Sequence, residues 1–177
     1  MQSTRITRSI ATLLVALTAL FSPSHSLAST KLQVYQTRHY DIHTDLDTDD
    51  VKEAAVRMTR MFEEYRLRTR GFSGDIRNRF PFYLYRNADD YFDAGGLPGS
   101  AGVFNGTSLM AIAGDHVSNG TWHVVQHEGF HQFAAAVIRG NLPTWLNEGL
   151  AEYFGESIFT GDGYISGIIP PGRLRRV

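Results

Sequence analysis

His127-Glu128-Gly129-Phe130-His131 is the stretch of this chain that most constrains both its fold and its chemistry. On a helix, residues four apart lie one turn apart on the same face, so the pattern predicts two histidine side chains that point the same way. Two imidazoles placed in this way can hold one Zn²⁺. The glutamate between them then lies on the wall of the site, where its carboxylate can take a proton from water.

A second segment offers a third metal ligand. Glu148 follows His131 by 17 residues and lies within Trp145-Leu146-Asn147-Glu148-Gly149. Pro143 favours the first turn of a helix, and the residues up to about Phe154 continue the helical pattern. A carboxylate oxygen from this helix completes a His₂Glu set, which in catalytic zinc proteins leaves one position open. Because the five-residue motif alone is short enough to arise by chance, the zinc prediction depends on both segments together.

The composition favours a single folded domain. The chain has 177 residues, of which 42% are hydrophobic and 20% charged, and these values are typical of a globular protein. Its formal net charge is -1 and its basic residues form no cluster, so we expect no nucleic-acid partner. The chain has no cysteine, which excludes disulfide bonds.

The N-terminus has the pattern of a signal peptide. Arg5 and Arg8 precede an uncharged apolar run from Ile10 to Phe21, and Ser26-Leu27-Ala28 offers small residues for cleavage. We therefore expect a signal peptide over 1–28 and a domain over 29–177. The mature protein is then exported, to the periplasm or the extracellular space, and keeps no stable membrane span. The alternative is an uncleaved anchor, although the run is shorter than the ~20 residues that a span needs.

Hydrophobic periodicity predicts an α+β fold, in which a small mixed or antiparallel sheet packs on helices and the motif helix is followed by the third-ligand helix. Asp50 with Glu53 resembles a capping box for the first helix, and Asn87 is a predicted cap for a short one. Asn105-Gly106 is the dipeptide favoured in a two-residue hairpin turn. The predicted elements are a strand within 35–44, a helix over 51–70, a strand over 80–86, a short helix over 88–93, a hairpin over 102–113, helices over 121–139 and 143–154, an irregular stretch over 155–171 and an opening helical turn over 173–177.

Other side chains are candidates for contact with a substrate. His123 lies one helical turn before His127 on the same face, so it is predicted to line the cleft, in either a substrate or oxyanion role or a structural one. His116 has similar alternatives, whereas His39 and His43 are interpreted as surface histidines. The strand over 107–113 is the best candidate for an edge that pairs with an extended peptide, although a plain sheet edge is an equal alternative.

The chain resembles the gluzincin zinc metallopeptidases, the superfamily also called peptidase MA, and within it the small exported proteins of bacteria. The resemblance rests on the His127–His131 motif and on Leu142-Pro143-Thr144-Trp145-Leu146-Asn147-Glu148-Gly149-Leu150-Ala151-Glu152. It implies a zinc ion held by His127, His131 and Glu148, with Glu128 as the general base. It further implies that Glu152 hydrogen-bonds a ligand histidine, and that Asn147 supports the site.

Relatives of this type also carry a downstream tyrosine or histidine that stabilises the oxyanion. Tyr153 and Tyr164 are the tyrosines available here, and neither matches a motif. The chain ends at Val177, which is abrupt for the family, so C-terminal truncation is one interpretation. The expected function is that of a secreted metalloprotease, a hydrolase that acts on peptides or proteins. The alternative is a zinc-stabilised scaffold domain, or an inactive fragment of a larger envelope protein. The sequence assigns neither a substrate nor an oligomeric state.

Overall fold

The computed structural model describes residues 31–138 and 142–170, so the predicted signal peptide and the segment 173–177 lie outside the described residues. The predicted α+β class is confirmed. A five-stranded mixed sheet packs against helices, and a short two-stranded ribbon follows. The elements are β1 (Gln33–Gln36), β2 (Tyr40–Thr44), α1 (Thr48–Thr69), β3 (Phe80–Tyr85), α2 (Ala88–Asp93), β4 (Gly102–Phe104), β5 (Leu109–Ile112), α3 (Asn119–Val137), α4 (Thr144–Gly155), β6 (Ile158–Phe159) and β7 (Tyr164–Ile165).

The strands of the large sheet lie in the order β1-β2-β3-β5-β4. The three inner strands run parallel to one another, whereas each outer strand pairs antiparallel with its neighbour. The strand predicted within 35–44 is confirmed as β2, and a turn before it joins it to β1, which contains Tyr35 and Gln36. Thr37 makes this turn: its backbone N–H donates to Tyr40 O at 2.8 Å, and its Oγ1 accepts from Tyr40 N at 2.9 Å.

Helix α1 begins three residues earlier than the sequence pattern predicts. Asp47, in extended conformation, precedes its first turn, and its side chain makes no capping hydrogen bond. The predicted capping box at Asp50 and Glu53 is wrong, because Asp49 and Asp50 already lie in the first turn, where negative charge stabilises the helix dipole. The apolar residues that recur at three- and four-residue steps within the helix predicted over 51–70 are buried at Val51, Ala54, Met58, Met61, Phe62 and Tyr65, and half-buried at Ala55.

The helices meet around an aromatic core. The Tyr65 ring of α1 lies 5.8 Å from the Phe130 ring of α3 and 4.8 Å from the Phe154 ring of α4, between ring centroids. Its buried hydroxyl donates to Gln126 O at 2.6 Å, which also satisfies the polar end of the ring. Because all three rings are fully buried, α1 supports the two helices that carry the predicted ligands.

The β4–β5 hairpin has a different turn from the one predicted. Phe104 pairs with Leu109, so four residues connect the strands, and Asn105 N donates to Ser108 O at 3.2 Å. The predicted Asn-Gly turn needs a positive φ at both of its central residues. Of the residues in this turn only Gly106 has one, of 92°, so Asn105 is not a central residue. Instead, Asn105 Oδ1 accepts hydrogen bonds from the backbone N–H groups of Thr107 and Ser108.

The position of β5 corrects a further prediction. It lies between β3 and β4, and its backbone is paired on both sides, so the strand over 107–113 cannot present an edge to a peptide. The edge strand here is β4.

Past α4, the stretch predicted as irregular contains the β6–β7 ribbon. No helix within 31–138 or 142–170 has both the length and the apolar character needed to cross a bilayer.

Candidate metal centre

The two helices α3 and α4 bring three predicted ligands together. His131 Nε2 lies 3.2 Å from His127 Nε2, Glu148 Oε2 lies 3.5 Å from His127 Nε2, and Glu148 Oε1 lies 3.6 Å from His131 Nε2. The histidines face the same way because they are one turn apart on α3, a helix capped by Ser118, whose side chain accepts a hydrogen bond from Thr121 N. These three side chains form a group that can hold a metal ion.

The spacing of these donor atoms suits a small divalent cation. Two ligand atoms bound at 2.0–2.1 Å to one tetrahedral ion lie about 3.3–3.4 Å apart. The His127–His131 nitrogen separation of 3.2 Å is close to this value, and each of these nitrogens has one of the two Glu148 oxygens 3.5 or 3.6 Å away. Two nitrogens and one carboxylate oxygen are also donor types that Zn²⁺ accepts in catalytic sites. The residues present therefore fit the predicted ion.

The two histidines of the site are more deeply buried than Glu148. The side chains of His127 and His131 are 16% and 13% exposed, whereas that of Glu148 is 52% exposed. Burial lowers the pKa of His127, and the nearby His131 lowers it further, while Glu128, Glu152 and Glu148 act in the opposite direction. A lowered pKa keeps the imidazole neutral near pH 7, which is the form that binds a metal.

Glu128 lies at the same site, next to strand β4. Its Oε2 accepts a hydrogen bond of 2.8 Å from the backbone N–H of Phe104. Together with His127 and Gly102, Glu128 lines a cavity of about 240 Å³. This hydrogen bond from the edge strand β4 therefore sets the orientation of the Glu128 carboxylate.

Glu152 lies one turn after Glu148 on α4, between two histidines. Its Oε1 is 3.9 Å from His127 Nδ1 and its Oε2 is 3.8 Å from His123 Nε2. Both separations are within the range of an ion pair but too long for the predicted hydrogen bond to a ligand histidine. The donor atoms of His123, His127 and Glu152 form a second group close enough to share an ion. Asn147 lines a cavity with His131 and Glu148.

The oxyanion candidates lie in different places. His123 lines the cavity that also holds His127 and Glu128, and it faces the carboxylates of Glu152 and Glu156. The Tyr164 hydroxyl instead donates to Arg57 O of α1 at 3.3 Å, and burial raises its pKa. The Tyr153 ring packs against the core and beside Gly167. His116 is exposed, 3.9 Å from Asp50.

Gln126 is a residue of the site that the sequence analysis missed. Its buried side-chain Nε2 lies 3.0–3.1 Å from the carbonyl oxygens of Phe154, Gly155 and Ser157, which share its two N–H groups. It therefore ties the residue before His127 to the end of the helix that carries Glu148. A signal was present: Gln126 occupies a position four residues from both Trp122 and Phe130, on the apolar face of α3, where an amide needs buried partners.

Cavities lie on both sides of the three ligands. The larger, of about 500 Å³, borders His131 and Glu148, and the smaller borders His127 and Glu128. The ligand group thus lies between two open cavities along α3, which together we call the cleft. Comparison with known proteins finds no family model, curated protein or solved structure that matches this chain.

Proposed function

We propose that this chain is an exported zinc-dependent peptidase of the gluzincin type. The observation that carries the proposal is the convergence of His127, His131 and Glu148 within 3.2–3.6 Å, with the Glu128 carboxylate in the same cleft. A purely structural zinc site is closed by four protein ligands, whereas three ligands beside a cleft leave room for substrate and water. The carboxylate of Glu128 is not needed to hold the ion, and this favours an enzyme over a scaffold.

The proposed ligands are His127 and His131 through Nε2 and Glu148 through its carboxylate. A divalent ion held there supplies Lewis acidity, which lowers the pKa of water and polarises a carbonyl group. Glu128 acts as the general base. Its Oε2 is fixed by Phe104 N, so its second oxygen can accept a proton from the attacking water and return it to the leaving amine.

Two further groups support this reaction. His123, on the cavity shared with Glu128, is the candidate that we assign to the developing oxyanion, because the Tyr164 hydroxyl is bonded to α1. Strand β4 replaces the predicted strand as the edge that pairs with an extended peptide. In the β4–β5 ladder the backbone groups of Ala101 and Asn105 are directed to β5, so those of Gly102 and Phe104 point outward along the cleft.

The experiment combines metal analysis with peptide cleavage. We expect the purified protein to hold about one zinc ion per chain and to cleave a mixed peptide library, and we expect a chelator to abolish the cleavage. Glu128→Gln should keep the metal and lose at least about a hundredfold in rate, since general-base catalysis contributes 10²–10⁴-fold. Glu148→Ala, the matched variant of a ligand carboxylate, should lose the metal as well.

Each result has a clear meaning. Equal cleavage by Glu128→Gln and the parent protein would exclude Glu128 as the base. If zinc binds and raises the melting temperature but no peptide is cut, the chain is a metal-stabilised domain without turnover. If chelated and native samples cleave equally, the peptidase proposal fails.

A further inference from the structure

The larger cavity of the cleft is built differently at its two ends. At one end lie His131, Asn147 and Glu148, which are polar and belong to the metal centre. The remainder is lined by apolar side chains from the end of β4, from the last turn of α3, and from Ile138 and Leu142. These apolar walls consist of Phe104, Ala134, Ala135, Ile138 and Leu142. At about 500 Å³, the cavity is within the size range of small-molecule and side-chain pockets.

Strand β4 determines the direction in which an extended peptide can lie along the cleft. It runs beside α3 in the same sense, since Gly102 lies against Val124 and Phe104 lies against Glu128, one turn further along the helix. Antiparallel pairing is the more stable arrangement for a strand added to an edge. A peptide paired in this way runs from Phe104 towards Gly102, so its amino-terminal part lies over the apolar cavity.

We propose that this cavity is the specificity pocket of the site, and that it takes a large apolar side chain on the amino-terminal side of the scissile bond. The inference rests on the proposed peptidase function and names its substrate class: peptides with Leu, Phe or a similar residue before the cut. The apolar walls desolvate such a side chain, while the outward backbone groups of Gly102 and the carbonyl of Phe104 hold the main chain, since the Phe104 N–H is bonded to Glu128.

Two alanines of α3 provide a matched test. Ala135 lines the cavity and Ala136 does not, although both are exposed and adjacent on the same helix. Replacing either with Phe therefore changes helix propensity equally, but only Ala135→Phe fills the pocket. We would map cut sites in a peptide library with the zinc-loaded parent, Ala135→Phe and Ala136→Phe, after checking that metal content and melting temperature agree among the three.

For the parent we expect peptides with Leu or Phe before the cut to have a kcat/KM at least about tenfold above peptides with Ala there, because even small changes in an apolar pocket give 10–200-fold discrimination. Ala135→Phe should bring that ratio close to one, mainly by lowering cleavage of the Leu and Phe peptides. Ala136→Phe should keep the ratio of the parent.

The outcomes distinguish a failure of the pocket assignment from a failure of the proposed peptidase function. Metal-dependent cleavage without an apolar preference, or with the preference on the carboxyl-terminal side of the cut, overturns the pocket assignment and leaves the peptidase standing. An equal loss of preference in Ala135→Phe and Ala136→Phe also overturns it. If the zinc-loaded parent cuts no peptide, both proposals fall.

Discussion

The side-chain amide of Gln126 donates a hydrogen bond of 3.1 Å to the carbonyl oxygen of Gly155. The same nitrogen also lies 3.0 Å from the carbonyl oxygens of Phe154 and Ser157, which belong to the end of α4 and the turn that follows. Terminal carbonyls of a helix have no partner within the helix, so this buried amide satisfies them. It thereby fixes α4, and with it Glu148, against the residue that precedes His127.

Gln126→Leu should therefore lower both stability and metal affinity. The substitution leaves buried carbonyl oxygens unpaired, which costs about 1–3 kcal/mol in the free energy of unfolding. Glu148 then loses its fixed distance from the two histidines, so zinc should bind more weakly. Denaturant unfolding of the metal-free protein and competitive zinc titration measure the two effects separately.

Gln132→Leu is the matched control for that variant. Gln132 is also buried on α3 and also adjoins a ligand histidine, but its Nε2 donates to Pro81 O and Thr107 O of the sheet side. We expect a similar loss of stability with zinc affinity largely kept. Equal losses of zinc affinity in both variants would contradict the role of Gln126 in placing α4.

The helices of the site were predictable from sequence because their signals are local. The spacing of His127 and His131, the apolar periodicity and Pro143 predict α3 and α4, and the ends of α3 differ from the prediction by two residues. The proximity of Glu148 to both imidazoles was inferred from the occurrence of the two segments together and from the resemblance, because no local pattern gives the packing of two helices.

The capping box at Asp50 and Glu53 and the two-residue turn at Asn105-Gly106 were errors of local structure, and the other errors concern non-local structure. The alternation that predicts β5 does not reveal that β3 lies on its far side, so the sequence could not show which strand is the edge. The stack of His39 on Phe62, with ring centroids 3.9 Å apart, likewise joins β2 to α1 across the core. His39 was predicted to be a surface residue, and it is half-buried for this reason.

Glu152→Gln should weaken zinc binding without unfolding the protein. The Glu152 carboxylate lies 3.9 Å from His127 Nδ1, where its negative charge favours the N–H on that nitrogen and leaves Nε2 free for the metal. Loss of a hydrogen-bonded partner typically lowers metal affinity 10–100-fold, and because the separation here is longer than a hydrogen bond, we expect a decrease of about tenfold in zinc titration.

Glu156→Gln tests whether that effect is specific. Glu156 lies at the same helix end, and its carboxylate is 3.9 Å from Nδ1 of His123, which is not a proposed ligand. This variant should bind zinc as tightly as the parent. A common decrease in both variants would show that only the total negative charge of the cleft matters.

Gly102→Ala should displace β4 from α3. An added Cβ would lie 2.6 Å from Val124 Cγ1 and 2.9 Å from the backbone oxygen of Met110, so one of the two elements must move. Overpacking of this kind costs about 1–3 kcal/mol in the free energy of unfolding. The Phe104 contact to Glu128 should loosen with it, so peptide cleavage should fall more than zinc binding.

Two variants distinguish this steric effect from a general cost of alanine. Val124→Ala combined with Gly102→Ala should restore part of the stability, since one of the two close contacts is removed. Gly149→Ala on α4 meets no atom within 4 Å and should be neutral or stabilising by up to about 1 kcal/mol, as expected for a helical glycine. No recovery in the double variant would place the strain elsewhere.

The stability of the metal-free protein should fall as the pH falls below about 6.5, in part through His39. Burial lowers the pKa of His39 from its usual 6.5, Arg38 lowers it further, and Nε2 has no hydrogen-bond partner among the described residues. Between the pKa in the folded state and 6.5, the unfolded chain binds more protons than the folded one. Acidification through that window therefore favours unfolding, and the stability is fully present only above it.

His39→Phe should flatten this pH dependence while keeping an aromatic ring on Phe62. Denaturant unfolding of both proteins in chelator, at several pH values between 7.5 and 5, measures the difference. The pKa of His127 is also lowered, but its contribution is common to both proteins and cancels in their difference. Arg38→Gln should give an intermediate slope, because it removes the positive charge and leaves the burial. Parallel curves for the parent and His39→Phe would show that protonation of His39 does not oppose folding.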